Sequence, residues 1–491
     1  MYIPHRQSRR AFIKQSTMAT GILTMFNACG PGVKTSVSSL DPVNINAFRK
    51  NFSGTILIPG EAGYDTARKV IAFNPLTNKF PSIVAQCTND DDVLRCIDLA
   101  QKYSLEVAVR SGNHSSLGWG TTEKGIVIDL SRMKGVKIVQ TTQTATVMAG
   151  SNAQEILASA SPHGLAPVLG QCGTVGAGLL LGGGLGWLSG KYGATCDNLL
   201  SAQIITADGK KLRVDNVNNP DLFWAIRGGG GNFGILTSVE YKLRPVNEVI
   251  AGRFVYPISA ASEMFRFFSQ LMAEAPDELQ ADCYILSEGE GIFILEFVYS
   301  GDLDRGEVLM DQVRKQRRPD KDEIRRRHYS EVYNMYEENS ESGCEFSSIK
   351  GFYIDRLSDE VFGVVHDQFR QAPSQCLTMF NFSHYMHGAV CKVPGDATAF
   401  ELRKTGAAHL VSATVWKDGS YSTACMDWHE KTSNALKSFS GGRIYANYIS
   451  EYKPADAPAV YGSNYGRLVQ LKKKYDPSNF FHLNQNIDPQ G

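Results

Sequence analysis

The chain of 491 residues predicts an α+β protein with more than one domain. Three observations carry that reading. Short β-branched runs alternate with helical ones from about residue 50 to 245, in a stretch dense in glycine. The glycine loops then vanish from about 246 to 440, where strand-like and charged helical segments alternate. A polar, aromatic-rich tail from 441 to 491 reads as a segment folding back onto the first part. About 460 residues beyond the leader exceed what one hydrophobic core supports.

Residues 1–30 are set aside as a targeting segment. Ser8-Arg-Arg-Ala-Phe-Ile-Lys14 has the form of a twin-arginine signal, followed by a modest apolar stretch from Met18 to Phe26. Such signals are addresses and take no part in the fold. Phe26-Asn-Ala-Cys29-Gly30 resembles a lipoprotein cleavage box with phenylalanine in place of leucine, which leaves lipidation of Cys29 open. The expectation is therefore export through the twin-arginine translocon to the periplasm or the exterior, soluble or lipid-tethered. No other apolar run approaches the roughly 20 residues of a spanning helix. Residues 31–49 read as a linker.

In the first domain, 50–245, Ser82–Cys87 reads as a strand and Asn89–Ala100 as an amphipathic helix with an acidic start. Leu105–Arg110 is the next strand, followed by strands around Ile126–Leu130, Ala145–Met148 and Ala202–Thr206. In the second domain, 246–440, Ile292–Tyr299 reads as a strand and Glu307–Gln316 as a helix. Arg317-Arg318 and Arg325-Arg-Arg-His328 read as a solvated helix face rather than an anion site. Fifty basic and fifty acidic residues cancel, which points away from nucleic acid and from anionic membranes. The ten cysteines include no C-x-x-C, so no zinc site is expected. With Cys29 and Cys172 set apart, the other eight are read as buried free thiols, although an oxidising compartment would allow pairing.

Two loops carry the chemistry. Arg110-Ser-Gly-Asn-His-Ser-Ser-Leu-Gly118 follows a strand, and Gly170-Gln-Cys-Gly-Thr-Val-Gly-Ala-Gly178 is a second glycine-bearing loop. Glycine lets backbone N–H groups approach a pyrophosphate or a flat ring, because no Cβ intervenes. His114 and Cys172 are side chains nucleophilic enough to add to an electrophilic cofactor. The plainer alternatives are a loop histidine donating to a carbonyl and an inert thiol. Gly182-Gly183-Gly184 lacks the spacing and the downstream acid of a nicotinamide-binding fingerprint.

The second loop runs into Leu181-Gly-Gly-Gly-Leu-Gly-Trp-Leu188, Lys191-Tyr-Gly193 and Cys196-Asp-Asn198, and later Trp224-Ala-Ile-Arg-Gly-Gly-Gly-Gly-Asn-Phe-Gly-Ile-Leu-Thr237. Gly395–Phe400, Tyr445-Ala-Asn-Tyr448 and Lys474-Tyr-Asp-Pro-Ser-Asn-Phe-Phe481 follow in order. With these motifs the chain resembles the berberine bridge enzyme-like FAD-linked oxidases of the vanillyl-alcohol oxidase (PCMH-type) fold group, over residues 50–491. The resemblance implies a two-part FAD-binding domain, an α+β substrate domain with an antiparallel sheet, and a C-terminal segment, 441–491, returning to the first domain.

It also implies FAD bound covalently, through the 8α-methyl by His114 and through C6 by Cys172. Arg110, Ser111, Gly112, Asn113, Ser115, Gly118, Gly173, Thr174, Val175, Gly176, Gly178, Gly183, Gly234, Ile235 and Tyr448 are the further cofactor-binding candidates. Tyr445 is implied as the catalytic base, with Tyr192 as an adjacent helper; His384, His387 and Glu401 are rival bases. A phenol of pKa about 10 needs a neighbouring cation or ring to act near neutral pH. Val175 faces the flavin's oxygen-reactive carbon in relatives, which implies an oxidase giving hydrogen peroxide rather than a dehydrogenase. The implied reaction is hydride transfer from a hydroxylated small molecule, a mono- or oligosaccharide first, to flavin N5, with O2 as acceptor. Oxidation or oxidative cyclisation of a secondary metabolite is the alternative; a flavin-retaining binding protein is a third.

The chain departs from the family pattern at Asn113 and Gly190, where glycine and arginine are usual, and at Gly173 after the cysteine. Leu179-Leu180, Glu401-Leu402 and Ser450 are further departures. The first group lies by the implied flavin; Glu401-Leu402 and Ser450 lie near the implied substrate.

Overall fold

Three sheets carry the chain in this computed structural model, which describes residues 42–491 except 288, 334, 336–343 and 450. The twin-arginine segment, Cys29 and Ser450 lie outside the described residues. In the first sheet Ile83–Gln86, Ile126–Asp129 and Val107–Arg110 run parallel, with Thr55–Leu57 antiparallel at one edge. These strands are short and almost wholly buried, as parallel strands covered on both faces must be. The crossover helix Asp90–Tyr103 begins where Asn89 accepts from the N–H groups of Asp91 and Asp92. It buries Val93, Cys96, Ile97 and Ala100 against the sheet.

The second sheet is antiparallel and six-stranded, centred on the long strand Ile235–Pro245. That strand pairs with Thr144–Met148, Leu165–Pro167 and Leu199–Ile205. The third sheet, eight-stranded and antiparallel, takes Glu248–Pro257, Leu279–Leu286, Ile292–Tyr299, Phe346–Ile354, Leu377–Ser383 and Ala408–Trp416 with two short edge strands.

Period-two alternation divides this last sheet into two unlike faces. Cys283, Ile285, Phe293, Phe380, Phe382 and Leu410 point to one side and form a core with helices Ala261–Ala273, Asp359–Arg370 and Ser422–Leu436. The opposite face carries Asp282, Tyr284, Asn381, Val411 and Gly351, which stand in register across neighbouring strands. An apolar face seals the helices. The polar face is the one that looks toward the glycine loops.

Two expectations are corrected. Arg325–His328 is an edge strand on Glu248–Ala251, not a helix face. Its arginines are tied down by Asp304, Glu307 and Glu331 and by backbone carbonyls. A helical reading of a basic run ignores that alternate residues of an edge strand can also reach separate acids. The eight cysteines are not all free thiols either: Cys376 and Cys425 form a disulfide joining the start of Leu377–Ser383 to the helix Ser422–Leu436. The pairing spans 49 residues and leaves no trace in sequence spacing. Among the described residues no cluster has the makings of a metal site, and no helix is long and apolar enough to cross a membrane.

The C-terminal stretch is bound to the first half through a buried ion pair. Lys472 and Asp476 are both fully buried and 2.7 Å apart. The Lys472 ammonium also donates to the carbonyls of Asn232 and Phe481, each at 2.9 Å. Asp476 accepts from the N–H groups of Phe480 and Phe481. Asn232 in turn receives Ile487 N–H on its side chain and donates to Gln485 O. With every donor and acceptor used, the pair fixes the 229–234 loop against the tail. Lys472→Met would leave the Asp476 charge buried alone, so urea unfolding should show a loss of about 3–5 kcal/mol. Adding Asp476→Asn should recover part of it. A loss no larger than a surface change, roughly 0.5 kcal/mol, would mean that the clamp does not hold the tail.

Candidate active site

The loop after Val107–Arg110 and the loop 170–178 touch backbone to backbone. A Cβ on Gly112 would lie 2.4 Å from the Gly176 nitrogen and 2.8 Å from the Thr174 carbonyl oxygen. A Cβ on Gly176 would meet Gly112 N at 2.6 Å and the Ser111 hydroxyl. These two glycines are thus required by each other before any cofactor is considered. Gly178 is different: a Cβ there meets nothing within 4 Å, so its backbone is the part free to approach a ligand.

Asn113 explains itself at once. Its φ of 61° lies in the left-handed region, where asparagine is among the few tolerated side chains. Its amide donates to Lys69 O at 3.0 Å, tying down the loop where the family uses a bare glycine.

Next to this contact the two nucleophilic side chains share one partner. His114 Nε2 lies 2.8 Å from Thr174 Oγ1, and Cys172 Sγ lies 3.2 Å from the same hydroxyl. His114 is open to the cavity, yet desolvation by the surrounding loops holds its imidazole below its usual basicity. Arg110 does not reach this pair. It is buried and bonded to Asp129 at 2.7 Å, so it anchors the loop's stem rather than its tip.

A cavity of about 430 Å³ opens between the loops and the polar face of the third sheet. Of the candidates, Arg110–Ser115, Cys172, Val175, Gly176, Gly178 and Tyr448 line it. Gly234 and Ile235 line a contiguous cleft with Arg110, Ser111, Gly178 and Asn484. Gly118, Gly173 and Gly183 sit behind the wall, where a Cβ would strike Thr77, Gln154 and Phe400 respectively. Thr174 is placed between His114 and Cys172, as described.

On the far side the wall is built by Ile349 and Gly351, by Asn381 and His384, and by Val411. Sequence reading passed over all of these but His384, because a lone residue in a strand carries no local pattern. Trp119, Asn447, Asn484 and Gln485 were also passed over; the last two follow the Tyr-Asp-Pro-x-Asn-x-Phe motif closely enough to have been sought there.

The structure places the three tyrosines differently from one another. Tyr445 is 2% exposed and does not line the cavity; it packs with Leu185, Phe400 and His409, and its hydroxyl accepts from Asn447 Nδ2 at 3.0 Å. Tyr448, three residues on, is the phenol on the cavity wall. The turn Ala446–Tyr448 brings the two rings edge to face, and only one of them can face outward. Gly351 admits Tyr448 against the sheet: a Cβ there would lie 2.4 Å from the Tyr448 carbonyl oxygen.

Tyr192 is not beside Tyr445. It packs with the core of the first half, under the cations of Arg244 at 5.0 Å and Lys191 at 5.4 Å. Among the described residues no ring contact joins it to either C-terminal tyrosine. Its short helix, Ser189–Tyr192, includes Gly190, where a Cβ would lie 2.5 Å from His387 Cε1, so no larger side chain fits there without displacing that ring.

Tyr448 Oη lies 2.6 Å from His384 Nε2, with the rings stacked at 22°. Burial raises the phenol's pKa and drives the imidazole's well below its usual value, helped by the neighbouring His409. Both groups are therefore neutral, and no cation stands beside the phenol to hold it ionised. His387 and Glu401 do not line the cavity. Glu401 is paired with Arg443, and His387 packs on Gly190.

Behind Asn381 lies Asp282, fully buried, 3.4 Å from the Asn381 amide and from Tyr284 Oη. Tyr284 donates to Glu296 at 2.6 Å, and Glu296 pairs with Arg253 at 2.9 Å. Burial first, and the Glu296 charge second, push the Asp282 carboxyl up to about 8. Several cavity-lining polar atoms have no partner within the protein: Arg110 Nη1, Asn381 Oδ1, His384 Nδ1 and Asn484 Oδ1. Buried polar atoms are ordinarily paired, so a wall with several unpaired ones, a free Gly178 backbone and two nucleophiles at one end fits a long polar cofactor ending in a reactive ring.

Comparison with known proteins agrees. Residues 81–215 match the model of the FAD binding domain, and residues 444–488 match the berberine and berberine-like model. The chain is 29% identical over 459 residues to (R)-6-hydroxynicotine oxidase of Paenarthrobacter nicotinovorans, covering 90% of this chain and 98% of that protein. It is 25% identical to an FAD-linked oxidoreductase of Dictyostelium discoideum, covering 91% and 97%. The crystal structure of 6-hydroxy-D-nicotine oxidase from Arthrobacter nicotinovorans superposes with a TM-score of 0.81 at 26% identity, over 89% of this chain and 98% of that one. Xylooligosaccharide oxidase from Myceliophthora thermophila C1, with xylobiose, shares the fold with a TM-score of 0.78 at 21% identity, over 90% and 99%.

Two substitutions check this geometry. Gly176→Ala should force the two loops apart and abolish flavin retention in a protein that still folds by far-ultraviolet circular dichroism; full flavin content would refute the contact. Asp282→Asn tests the buried acid. Because the folded carboxyl titrates near 8 rather than 3.8, the folded chain holds an extra proton between those values, and the residue costs stability as pH rises. The variant should melt several degrees higher than the parent at pH 8, with the gain vanishing near pH 4. An equal gain at both pH values would place the acid in water.

Proposed function

We propose, for a chain that belongs to the berberine bridge enzyme-like FAD-linked oxidoreductases, that it is an oxidase removing a hydride from a CH–OH or CH–N donor. The observation that carries this is the pairing of a two-nucleophile loop site, His114 and Cys172 on Thr174, with the Tyr448–His384 pair across the cavity. FAD, when bound, supplies the hydride acceptor and passes the electrons on to O2, giving hydrogen peroxide.

The chain's residues then have separable tasks. His114 and Cys172 are the attachment points at the ring end, and the Gly178 and Gly231 backbones with Asn484 hold the rest of the cofactor. Val175 lines the ring end with a small side chain, which favours oxygen access. Tyr448 takes the donor's O–H or N–H proton. A buried phenol is too weak an acid to wait as phenolate, so its own proton moves to His384 Nε2 as the donor's arrives. Tyr445 supports this from behind by packing against Tyr448 and fixing Asn447.

Export by the twin-arginine route, with a periplasmic or extracellular location, belongs to the same proposal and is supported by the leader sequence. The division of the chain at about 245 and 440 does too: the third sheet, beginning at Glu248, supplies the donor side, and the stretch from 444 closes on it.

The tests are direct. Acid denaturation of the holoenzyme followed by peptide mapping should leave flavin mass on peptides containing His114 and Cys172; flavin released intact removes the covalent part of the proposal. Tyr448→Phe should slow anaerobic flavin reduction by about 10²–10⁴-fold while flavin content is kept, and Tyr445→Phe should cost far less. The reverse order would return the base to Tyr445.

A further inference from the structure

The donor side of the cavity has no charge to offer. Among its described lining residues there is no aspartate, glutamate or lysine, and the one arginine, Arg110, is committed to Asp129 on the loop side. The nearest acid, Asp282, stands behind Asn381 and is withdrawn from the surface. An ammonium donor would find no counter-ion, and neither would a carboxylate. Leaving a charged group unpaired in such a place costs far more than leaving it in water.

Polar partners are scarce as well. From the third sheet only Asn381 and His384 reach the cavity with polar atoms, and His384 Nε2 is already bonded to Tyr448. Ile349, Gly351 and Val411 fill the rest of that wall, with Gly351 and Val411 directly paired across adjacent strands. A sugar ring presents several hydroxyls, and each one buried without a partner costs about 1–3 kcal/mol. Gln171 of the second loop reaches the same Asp282 and adds one more polar group, so this side can satisfy about three hydroxyls and not a sugar's full set.

We infer that the donor is an uncharged, largely apolar molecule, flat enough to lie along Ile349 and Val411, which gives one O–H or N–H to Tyr448 and one further polar group to Asn381. Asn381 is then the specificity-determining polar contact: its Oδ1 is buried and unpartnered within the protein, and its amide is held from behind by Asp282. The mono- or oligosaccharide favoured by the sequence is disfavoured by the same wall. An amine donor binds as the free base.

This rests on the oxidase reading for the position of the donor, but its test is a binding order and not turnover alone. The holoenzyme is titrated anaerobically with 4-methoxybenzyl alcohol, its charged counterpart 4-methoxybenzoate, N-methylbenzylamine and xylobiose, following perturbation and bleaching of the flavin spectrum. The neutral alcohol should bind at least about tenfold more tightly than either 4-methoxybenzoate or xylobiose, a tenfold step being what a modest pocket contact supplies. Affinity for the amine should rise with pH up to the amine's own pKa and then level off. Val411→Thr, which exchanges a methyl for a hydroxyl, should weaken the alcohol severalfold and leave xylobiose unchanged or improved.

Xylobiose or 4-methoxybenzoate binding as tightly as the alcohol would overturn the inference, as would amine affinity that falls with rising pH. The two readings fail separately. If the binding order holds but nothing bleaches the flavin, the oxidase reading falls and the neutral pocket stands. If xylobiose binds tightest and bleaches the flavin, the oxidase stands and the neutral pocket falls.

Discussion

Backbone meets backbone at Gly112 and Gly176, and the arrangement of the site follows from that contact. Neither loop has regular hydrogen bonding of its own, so each is held by others. The stem of the first is fixed by Arg110 on Asp129, buried on both sides. The second is pinned where Ala153 N–H reaches Val175 O and Gln154 N–H reaches Gly173 O, at the start of the helix Ala153–Ala160. Ser111 bridges the two, donating to Ala149 O and accepting from Ala177 N–H. Each neutral hydrogen bond of this kind is worth about 0.5–1.5 kcal/mol, which is small beside the steric demand at the glycines. Closeness at one point sets the distance between His114 and Cys172, because Thr174 lies beside that point and touches both.

The third sheet meets the opposite demand. Its strands must bury one face against helices and still present polar groups on the other. The apolar face does this with phenylalanines and aliphatic residues. The polar face links Asp282, Tyr284, Glu296 and Arg253 into a chain in which one acid is paired and the other is held protonated. Two ionised carboxylates so close and so dry would repel strongly, and neutralising one is the cheaper outcome. That choice matters at the cavity, since Asp282 then stands behind Asn381 as a neutral group.

Much of this was legible beforehand, and the limits have physical causes. The glycine loops, the alternation of strands and helices in the first half, and the FAD-linked family were all readable, because close backbone approach and phosphate binding demand glycine at fixed places. The strand at Arg325–His328 was not, since a basic run has no period to read. The disulfide of Cys376 and Cys425 was not, since it joins elements distant in sequence. Which tyrosine lines the cavity was not legible for a subtler reason. Tyr445 and Tyr448 lie one turn apart in the same motif, and which of them faces the cavity is decided by Gly351 on another strand, which leaves room for Tyr448.

That dependence carries a wider consequence. Tyr448 stands where it does because Gly351 lacks a side chain, and Asn447 because Gly182 does: a Cβ on Gly182 would lie 2.2 Å from Asn447 Oδ1. Asn447 then donates both to Leu179 O and to the Tyr445 hydroxyl, and Gln485 reaches Ala446 O from the tail. The segment 445–448 is thus held from three sides: the glycine run after the second loop, the donor-side sheet and the C-terminal tail. The reacting face is completed only when all three have closed on it. The donor wall at Asn381 and Val411 stands on strands of the third sheet, while the loops that hold the cofactor belong to the first half, so the segment 445–448 and contacts such as Tyr333 on the Gly170 carbonyl tie the two together.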